Sequence, residues 1–276
     1  MNQIIFSTQR SDRWWIEPSL TAFGFLCFVV YTTLRALSGT DFVVDSYLSP
    51  FYSPLLFPTP GPESMGGEFA WFAAWPQFWT DNFPTWIPTS PAIFILAFPL
   101  SFRMTCYYYR KFYYRSFFLS PPACAVQGVP RNNYKGETGL LVIQNIHRYT
   151  LYIALLYIGI LYYDAFHSLF RQDPGTGLYQ FGIGLGSIIL FINPTLLGFY
   201  VFGCHAFRHL IGGGEDCFSC PAGNEKVKHK LWKKVSILNS QHMLWAWASM
   251  IWVALADLYI MLLSKGIIID VNTWGF

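Results

Sequence analysis

Five runs of apolar residues, each close to the length that crosses a lipid bilayer, leave this chain few choices of fold. They are read at Leu20–Leu37, Ala92–Phe112, Leu140–Tyr163, Phe181–Phe207 and Ile237–Leu263. A helix rising about 1.5 Å per residue needs about 20 residues to span hydrocarbon. In lipid every backbone N–H and C=O must be satisfied within the segment, so each run is expected to be a helix. Composition agrees, because 53% of the residues are hydrophobic, 20% aromatic and only 12% charged, which is not the balance of an ordinary soluble domain. The predicted class is an all-α polytopic membrane protein whose five transmembrane helices form a bundle, a single domain over residues 1–276 with no internal repeat. A lipid bilayer is an expected partner and nucleic acid is not.

The amino terminus, MNQIIFSTQRSDRWWIEP, is polar and lacks the apolar core of a cleavable signal peptide, so the first run is expected to be retained. Arg10 and Arg13 precede that run, five basic residues lie between Arg110 and Lys135, and six lie between Arg208 and Lys234, whereas Arg35, Arg171 and Lys265 fall on the other side. Positive charge is retained in the cytoplasm, which places the amino terminus there and the carboxyl terminus and the long loop 38–91 outside. Cys106, Cys124, Cys204, Cys217 and Cys220 then come at or near the reducing face, and Cys27 lies within a run. Free thiols or metal ligands are expected rather than disulfides.

The loop 38–91 is rich in aromatic residues and broken by proline, so no regular helix is expected there. It is read as a lid along the membrane interface, with Trp71, Trp75, Trp79 and Trp86 at headgroup level, where an indole buries its ring and keeps its N–H satisfied. Pro194 of INPTLLG is expected to kink the fourth run, and the glycines of IGGGEDC to end it.

Residues able to bind metal gather at one depth. Counting about 1.5 Å per residue from the cytoplasmic ends puts Cys204 and His205 about 8 Å deep, His242 about 10 Å, His147 about 12 Å and Cys106 about 15 Å. Polar side chains at such depth are costly without partners, and a metal centre accounts for all of them together. Cross-helix hydrogen bonds and packing account for any one alone. His209 shares the helical face of His205 one turn nearer the cytoplasm. Cys217 and Cys220 form a C-x-x-C whose spacing suits zinc or iron, and Cys124 of SPPACAV is a further candidate. Two histidines on opposite helices would hold a haem axially, whereas two histidines with two cysteines would hold a Rieske-type [2Fe–2S] cluster, imidazoles on one iron and thiolates on the other.

The segments FRMTCYYYRKFYYRSFFLSPPACAV, QNIHRYTLY, CHAFRH with DCFSC, and KLWKKVSILNSQHMLWAWASMIWVALADLY together resemble the membrane-anchor (cytochrome b-like) subunit of succinate dehydrogenase, respiratory complex II, in its single-chain five-helix form. The usual anchor of that form holds two b-type haems with a histidine from each of four helices. Here the first two runs contain no histidine, while Cys106 and Cys204 stand in the second and fourth. That departure is similar to the actinobacterial type, for which the resemblance implies a Rieske-type [2Fe–2S] cluster within the membrane, with b-type haem as the alternative. It also implies residence in a bacterial cell (inner) membrane, docking to the iron–sulfur and flavoprotein subunits, and electron delivery to a quinone, menaquinone by preference. The chain alone is not expected to oxidise succinate.

Carried onto this sequence, the implied metal ligands are His147 and His242, with His205 as substitute, and Cys106 with Cys124; Cys204 competes by depth and the CFSC pair by spacing. The implied quinone-binding residues are Tyr107, Tyr108, Arg110, Arg148, Trp245 and Trp247, for which an interfacial aromatic belt is the plainer account. Asp164 and Asp257 are read as partners of His167, in a proton relay or a structural hydrogen-bond cluster near the outer side. Lys226, Lys228, Lys230, Lys233 and Lys234 would meet acidic protein or anionic lipid. A metal-passing transporter or scaffold is the competing class, and the lack of inverted repeats argues against it.

Overall fold

The computed structural model describes residues 5–59, 67–82, 90–129, 138–213 and 224–275. Among them the chain is mainly helical, with α1 (Ile16–Ser38), α2 (Gln77–Asn82), α3 (Pro91–Thr105), α4 (Tyr107–Ser116), α5 (Thr138–His167), α6 (Leu185–Phe202), α7 (His205–Gly212), α8 (Asn224–Ser240) and α9 (His242–Ser264). Two antiparallel hairpins lie in the connections, β1–β2 (Val43–Val44 with Tyr47–Leu48) and β3–β4 (Phe170–Gln172 with Tyr179–Phe181). Four helical segments, Ile16–Ser38, Asn145–His167, Leu185–Phe202 and His242–Ser264, are long and apolar enough to cross a membrane, and α3 is a shorter apolar helix.

Helix α6 packs against both α5 and α9, α3 packs on α5, and α1 runs along α3, α4 and α9. The interior is filled by Phe102, Leu151, Ile158, Tyr200, Val201 and Met250, among others. On α1, by contrast, Leu20, Phe23, Leu26, Val30 and Leu34 stay exposed. An apolar stripe of that extent marks a lipid or protein contact rather than a water-facing surface.

The second and fourth apolar runs are not continuous helices. Ala92–Phe112 breaks at Cys106, whose backbone is extended at φ −67° and ψ 135°. Phe181–Phe207 becomes α-helical only at Leu185, continues through Pro194, and breaks at Gly203 and Cys204, the latter extended at φ −66° and ψ 143°. The last run is displaced too, since Ile237–Ser240 finishes α8 and Gln241 separates it from His242, the first residue of α9.

Interrupted backbone is tolerated at membrane depth only where protein buries it or a cavity is lined by it. Each cysteine carbonyl restarts its helix, that of Cys106 accepting from the Arg110 N–H at 2.9 Å and that of Cys204 from the Arg208 N–H at 3.0 Å. Gly203 is dictated by space, because a Cβ there would stand 2.8 Å from the Phe199 carbonyl oxygen, 3.1 Å from that of Leu238 and 3.2 Å from His242 Nδ1.

The connection after α1 is more deeply built than an interfacial lid. Phe42, Leu48, Phe51, Tyr52 and Leu55 form a core with Ala92, and the rings of Phe42 and Tyr52 stack at 4.1 Å. Tyr47 joins a second core with Ala165, Leu190, Ile260 and Trp274. This segment therefore plugs one end of the bundle. Trp71 is exposed, and Trp75 donates its indole N–H to the Pro58 carbonyl at 2.6 Å. Trp86 and the Trp79 side chain lie outside the described residues.

Candidate functional site

The three helix breaks, together with α5, bring two imidazoles and two thiols into contact. His147 Nε2 lies 3.0 Å from Cys204 Sγ, and His242 Nε2 lies 3.8 Å from Cys106 Sγ. All four are buried, His147 being 8% exposed and His242, Cys106 and Cys204 each 2%. They come from the α3/α4 break, α5, the α6/α7 break and the start of α9.

Aromatic rings fix both imidazoles. Phe102 stacks on His147 at 4.5 Å and Tyr200 stacks on His242 at 5.0 Å, each pair with ring planes 16° apart. Tyr108 meets His242 edge-on at 5.0 Å, and Phe102 touches Tyr200 at 5.5 Å. Thr105 Oγ1 lies 2.8 Å from His147 Nδ1, the kind of partner that sets the tautomer and orientation of a ligating imidazole. His242 Nδ1, the Tyr200 hydroxyl and Trp245 Nε1 are buried with no hydrogen-bond partner among the described residues, although protein interiors pair nearly all such atoms.

The donor set suits a group with two metal atoms. Among the described residues no three His, Cys, Asp or Glu side chains converge on the point a single ion would take, and a structural zinc needs four ligands on one tetrahedron. Two separate His–Cys pairs instead match a binuclear iron–sulfur group, which spreads four ligands over two irons. Each Nε2 is aimed at sulfur and each ring is faced by an aromatic side chain.

Other residues singled out in the sequence stand elsewhere. Cys124 is exposed on the loop after α4, where its carbonyl accepts from Arg10 Nη1 at 2.9 Å. Cys124 thus lies at the surface, and Cys204 is the thiol that the structure brings to His147. His205 is exposed and lines a cavity of about 190 Å³ with Arg208, His209 and Trp232. Cys217 and Cys220 lie outside the described residues.

Of the quinone candidates, Tyr108, Trp245 and Trp247 border the histidine–cysteine core. Tyr107 and Arg148 are exposed, Arg110 is buried with its guanidinium over the Tyr107 ring at 5.6 Å, and Trp247 packs on Phe112 at 4.9 Å. Asp257 stands apart from Asp164 and His167, which interact electrostatically with each other. Asp257 accepts instead from Arg35 at 2.7 and 3.1 Å, Tyr31 at 2.6 Å and Ser49 at 2.5 Å. Asp164 accepts from Ser53, and His167 meets Phe69 edge-on at 5.1 Å. Sequence reading passed over Arg35, Thr105 and Tyr200; a charge inside an apolar run was the available signal for Arg35.

A family profile described as "Actinobacterial succinate dehydrogenase subunit SdhC" matches residues 16–266. A solved structure, "Mycobacterium smegmatis Sdh1 complex in the apo form", contains a chain 41% identical to this one, with a TM-score of 0.81 over 99% of this chain and 96% of that chain. No curated protein matches. With the profile spanning nearly the whole sequence and so similar a solved relative, the chain belongs to the actinobacterial family of the succinate dehydrogenase subunit SdhC.

Proposed function

We propose that this membrane-anchor subunit of succinate dehydrogenase holds a Rieske-type [2Fe–2S] cluster between Cys106, Cys204, His147 and His242 and passes electrons to a quinone. The observation that carries the reading is the pair of buried His–Cys contacts drawn from separate helices. When bound, such a cluster takes and gives one electron at a time, at a potential raised by its two neutral imidazoles.

The chain's own residues do the remaining work. Thr105 orients His147 through Nδ1, Phe102 and Tyr200 fix the ring planes, and the surrounding aromatic core excludes water. Tyr108 and Trp245 offer an O–H and an N–H beside that core and are the proposed contacts of a quinone at the helix ends.

The anchor is read as one unit crossing the membrane five times, α3 and α4 together supplying the fifth crossing. Its amino terminus and α8 face the cytoplasm. Lys228, Lys230, Lys233 and Lys234 are exposed on α8 and form the proposed docking face for the iron–sulfur subunit, which in turn meets the flavoprotein subunit.

The test is made in the intact complex. His147→Ala, His242→Ala, Cys106→Ser and Cys204→Ser should each lose the cluster's EPR signal and quinone reduction while keeping succinate oxidation by a soluble dye. Cys124→Ser and His205→Ala should keep all three. A b-type haem spectrum, or a cluster signal that survives all four core substitutions, would overturn the proposal.

A further inference from the structure

Beyond the end of α6, a cavity of about 190 Å³ lies between α7 and α8, lined among the described residues by His205, Arg208, His209, Gly212, Gly213 and Trp232. Two imidazoles, a guanidinium and an indole border it, and no described carboxylate does. The volume is below that of a drug-sized site and suits one compact polar group.

The local sequence holds this space open. A Cβ on Gly212 would collide with the Trp232 indole, and one on Gly213 with the His209 carbonyl oxygen. The glycines of IGGGEDC therefore shape a cradle as well as ending a helix. Arg208 is fixed from the α8 side. Its Nη1 donates to Asn239 Oδ1 at 3.1 Å, Asn239 Nδ2 donates to the Gly203 carbonyl at 2.7 Å, and the guanidinium lies 4.6 Å from the Trp232 ring centre. A guanidinium carries five N–H donors, and this one makes no ion pair among the described residues. The rings of His205 and His209 meet edge to face at 6.2 Å, and their nitrogens make no hydrogen bond among the described residues. Fixed donors around a positive charge with no counter-charge form the arrangement that receives a phosphate group.

Placement in the fold selects the source of that phosphate. Only Gly203 and Cys204 separate α7 from Leu185–Phe202, a segment long and apolar enough to cross the membrane. The headgroup layer extends roughly 5–7 Å beyond the hydrocarbon on each side, so the cavity stands near its level. Leu210, which follows His209, and Leu231, which precedes Trp232, are both exposed, while Lys230, Lys233 and Lys234 are exposed on the same pair of helices. Exposed leucines beside lysines characterise a surface that lies in the interface of an anionic membrane. A free phosphate ion would use the donors and leave the leucines in water.

We propose that the α7–α8 cavity binds the phosphate group of an anionic phospholipid, with Arg208 as the forked donor, His205 and His209 donating beside it, and the acyl chains running over Leu210 and Leu231. The site is independent of the cluster and quinone readings, because its test counts only bound lipid. The intact complex is stripped of lipid in detergent and titrated with dioleoylphosphatidylglycerol, and bound lipid is counted per flavin by native mass spectrometry. The unaltered complex should hold one tight equivalent, whose affinity falls at least tenfold in Arg208→Gln and falls also in His209→Gln. Lys230→Gln, which removes a charge from α8 outside the cavity lining, should keep it. All three variants should retain dye-linked succinate oxidation and iron per flavin, showing an intact assembly. Excess inorganic phosphate should leave the lipid bound. Unchanged binding in Arg208→Gln, an equal loss in Lys230→Gln, or displacement by inorganic phosphate would overturn the proposal. Release of the iron–sulfur subunit from Arg208→Gln would also overturn it, by giving the cavity to an acidic side chain of that subunit.

Discussion

Arg35 and Asp257 form a doubly bonded ion pair inside the bundle, Nε to Oδ2 at 2.7 Å and Nη2 to Oδ1 at 3.1 Å, with side chains 6% and 0% exposed. The pair ties α1, the helix with the largest apolar exposure, to α9. Tyr31 and Ser49 donate to the same carboxylate, and the guanidinium also reaches Ser38 Oγ and the carbonyls of Thr40 and Asp41. Satisfying the remaining donors and acceptors is the condition under which a buried ion pair can hold.

Breaking one side of that pair is therefore expected to cost more than removing both. Asp257→Ala leaves a buried guanidinium with one hydroxyl and two carbonyls but no carboxylate, and loses about 3–5 kcal/mol. Arg35→Met combined with Asp257→Leu should recover most of that loss. Thermal unfolding of the purified complex reads both. A single variant within about 1 kcal/mol of the unaltered protein would mean that water reaches the pair.

Gly203→Ala is expected to displace the histidine–cysteine core without altering any ligand. The added Cβ would press on two backbone carbonyl oxygens, at 2.8 and 3.1 Å, and on His242 Nδ1 at 3.2 Å, and backbone cannot swing aside. Gly24→Ala is the control, since its Cβ would make ordinary contact with the Trp247 ring at 3.8 Å. Iron per flavin should fall in the first variant and hold in the second; equal iron in both would show that the α6/α7 break adapts.

What the sequence made legible, and what it concealed, follows from the range of the forces involved. Apolar length announced α1, α5, α6 and α9, because transfer to lipid acts on every residue of a run alike. The break at Cys106 left no mark, for RMTCYYYR holds neither glycine nor proline, and its geometry is closed by the contacts of Cys106 with Arg103 and Arg110. Gly203 was visible, but a lone glycine in an apolar run signals close packing as readily as a break. Depth counted along separate helices put Cys106, Cys204, His147 and His242 on one level, yet it could not choose between Cys204 and Cys124. That choice depends on whether a loop folds inward. Here Thr8 and Arg10 hold it, bonding the carbonyls of Ala125 and Cys124 at 2.8 and 2.9 Å.

At the plugged end, Asp270 is expected to govern the order of the segment around Tyr47. It accepts from the hydroxyls of Tyr47 at 2.7 Å and Tyr259 at 2.6 Å and from the Gly186 N–H at 3.1 Å. Asp270→Ala strands the hydroxyl of a tyrosine that is 3% exposed, at a cost of about 1–3 kcal/mol. Amide exchange over residues 42–55 should quicken while the EPR signal of the distant centre holds. Exchange at the original rate would show that the apolar contacts of Tyr47 with Trp274 and Leu190 suffice.

Tyr200→Phe separates stability from redox tuning. The Tyr200 ring is 0% exposed and stacks on His242, while its hydroxyl has no partner among the described residues. A buried hydroxyl without an acceptor costs about 1–3 kcal/mol, so in the complex stripped of iron, removing it while keeping the ring should leave stability unchanged or raise it. With a cluster held by Cys106 and His242, the nearby acceptors for that O–H are sulfur atoms, and a hydrogen bond to sulfur favours the reduced, more negative state. Its net worth of about 0.5–1.5 kcal/mol corresponds to roughly 20–60 mV at 59 mV per tenfold for one electron. The midpoint potential of Tyr200→Phe in the iron-loaded complex, followed by EPR during a redox titration, should fall by that amount, while the unfolding temperature of the iron-stripped complex does not. A fall in unfolding temperature would give the hydroxyl a protein partner, and an unmoved potential would place it away from the sulfurs.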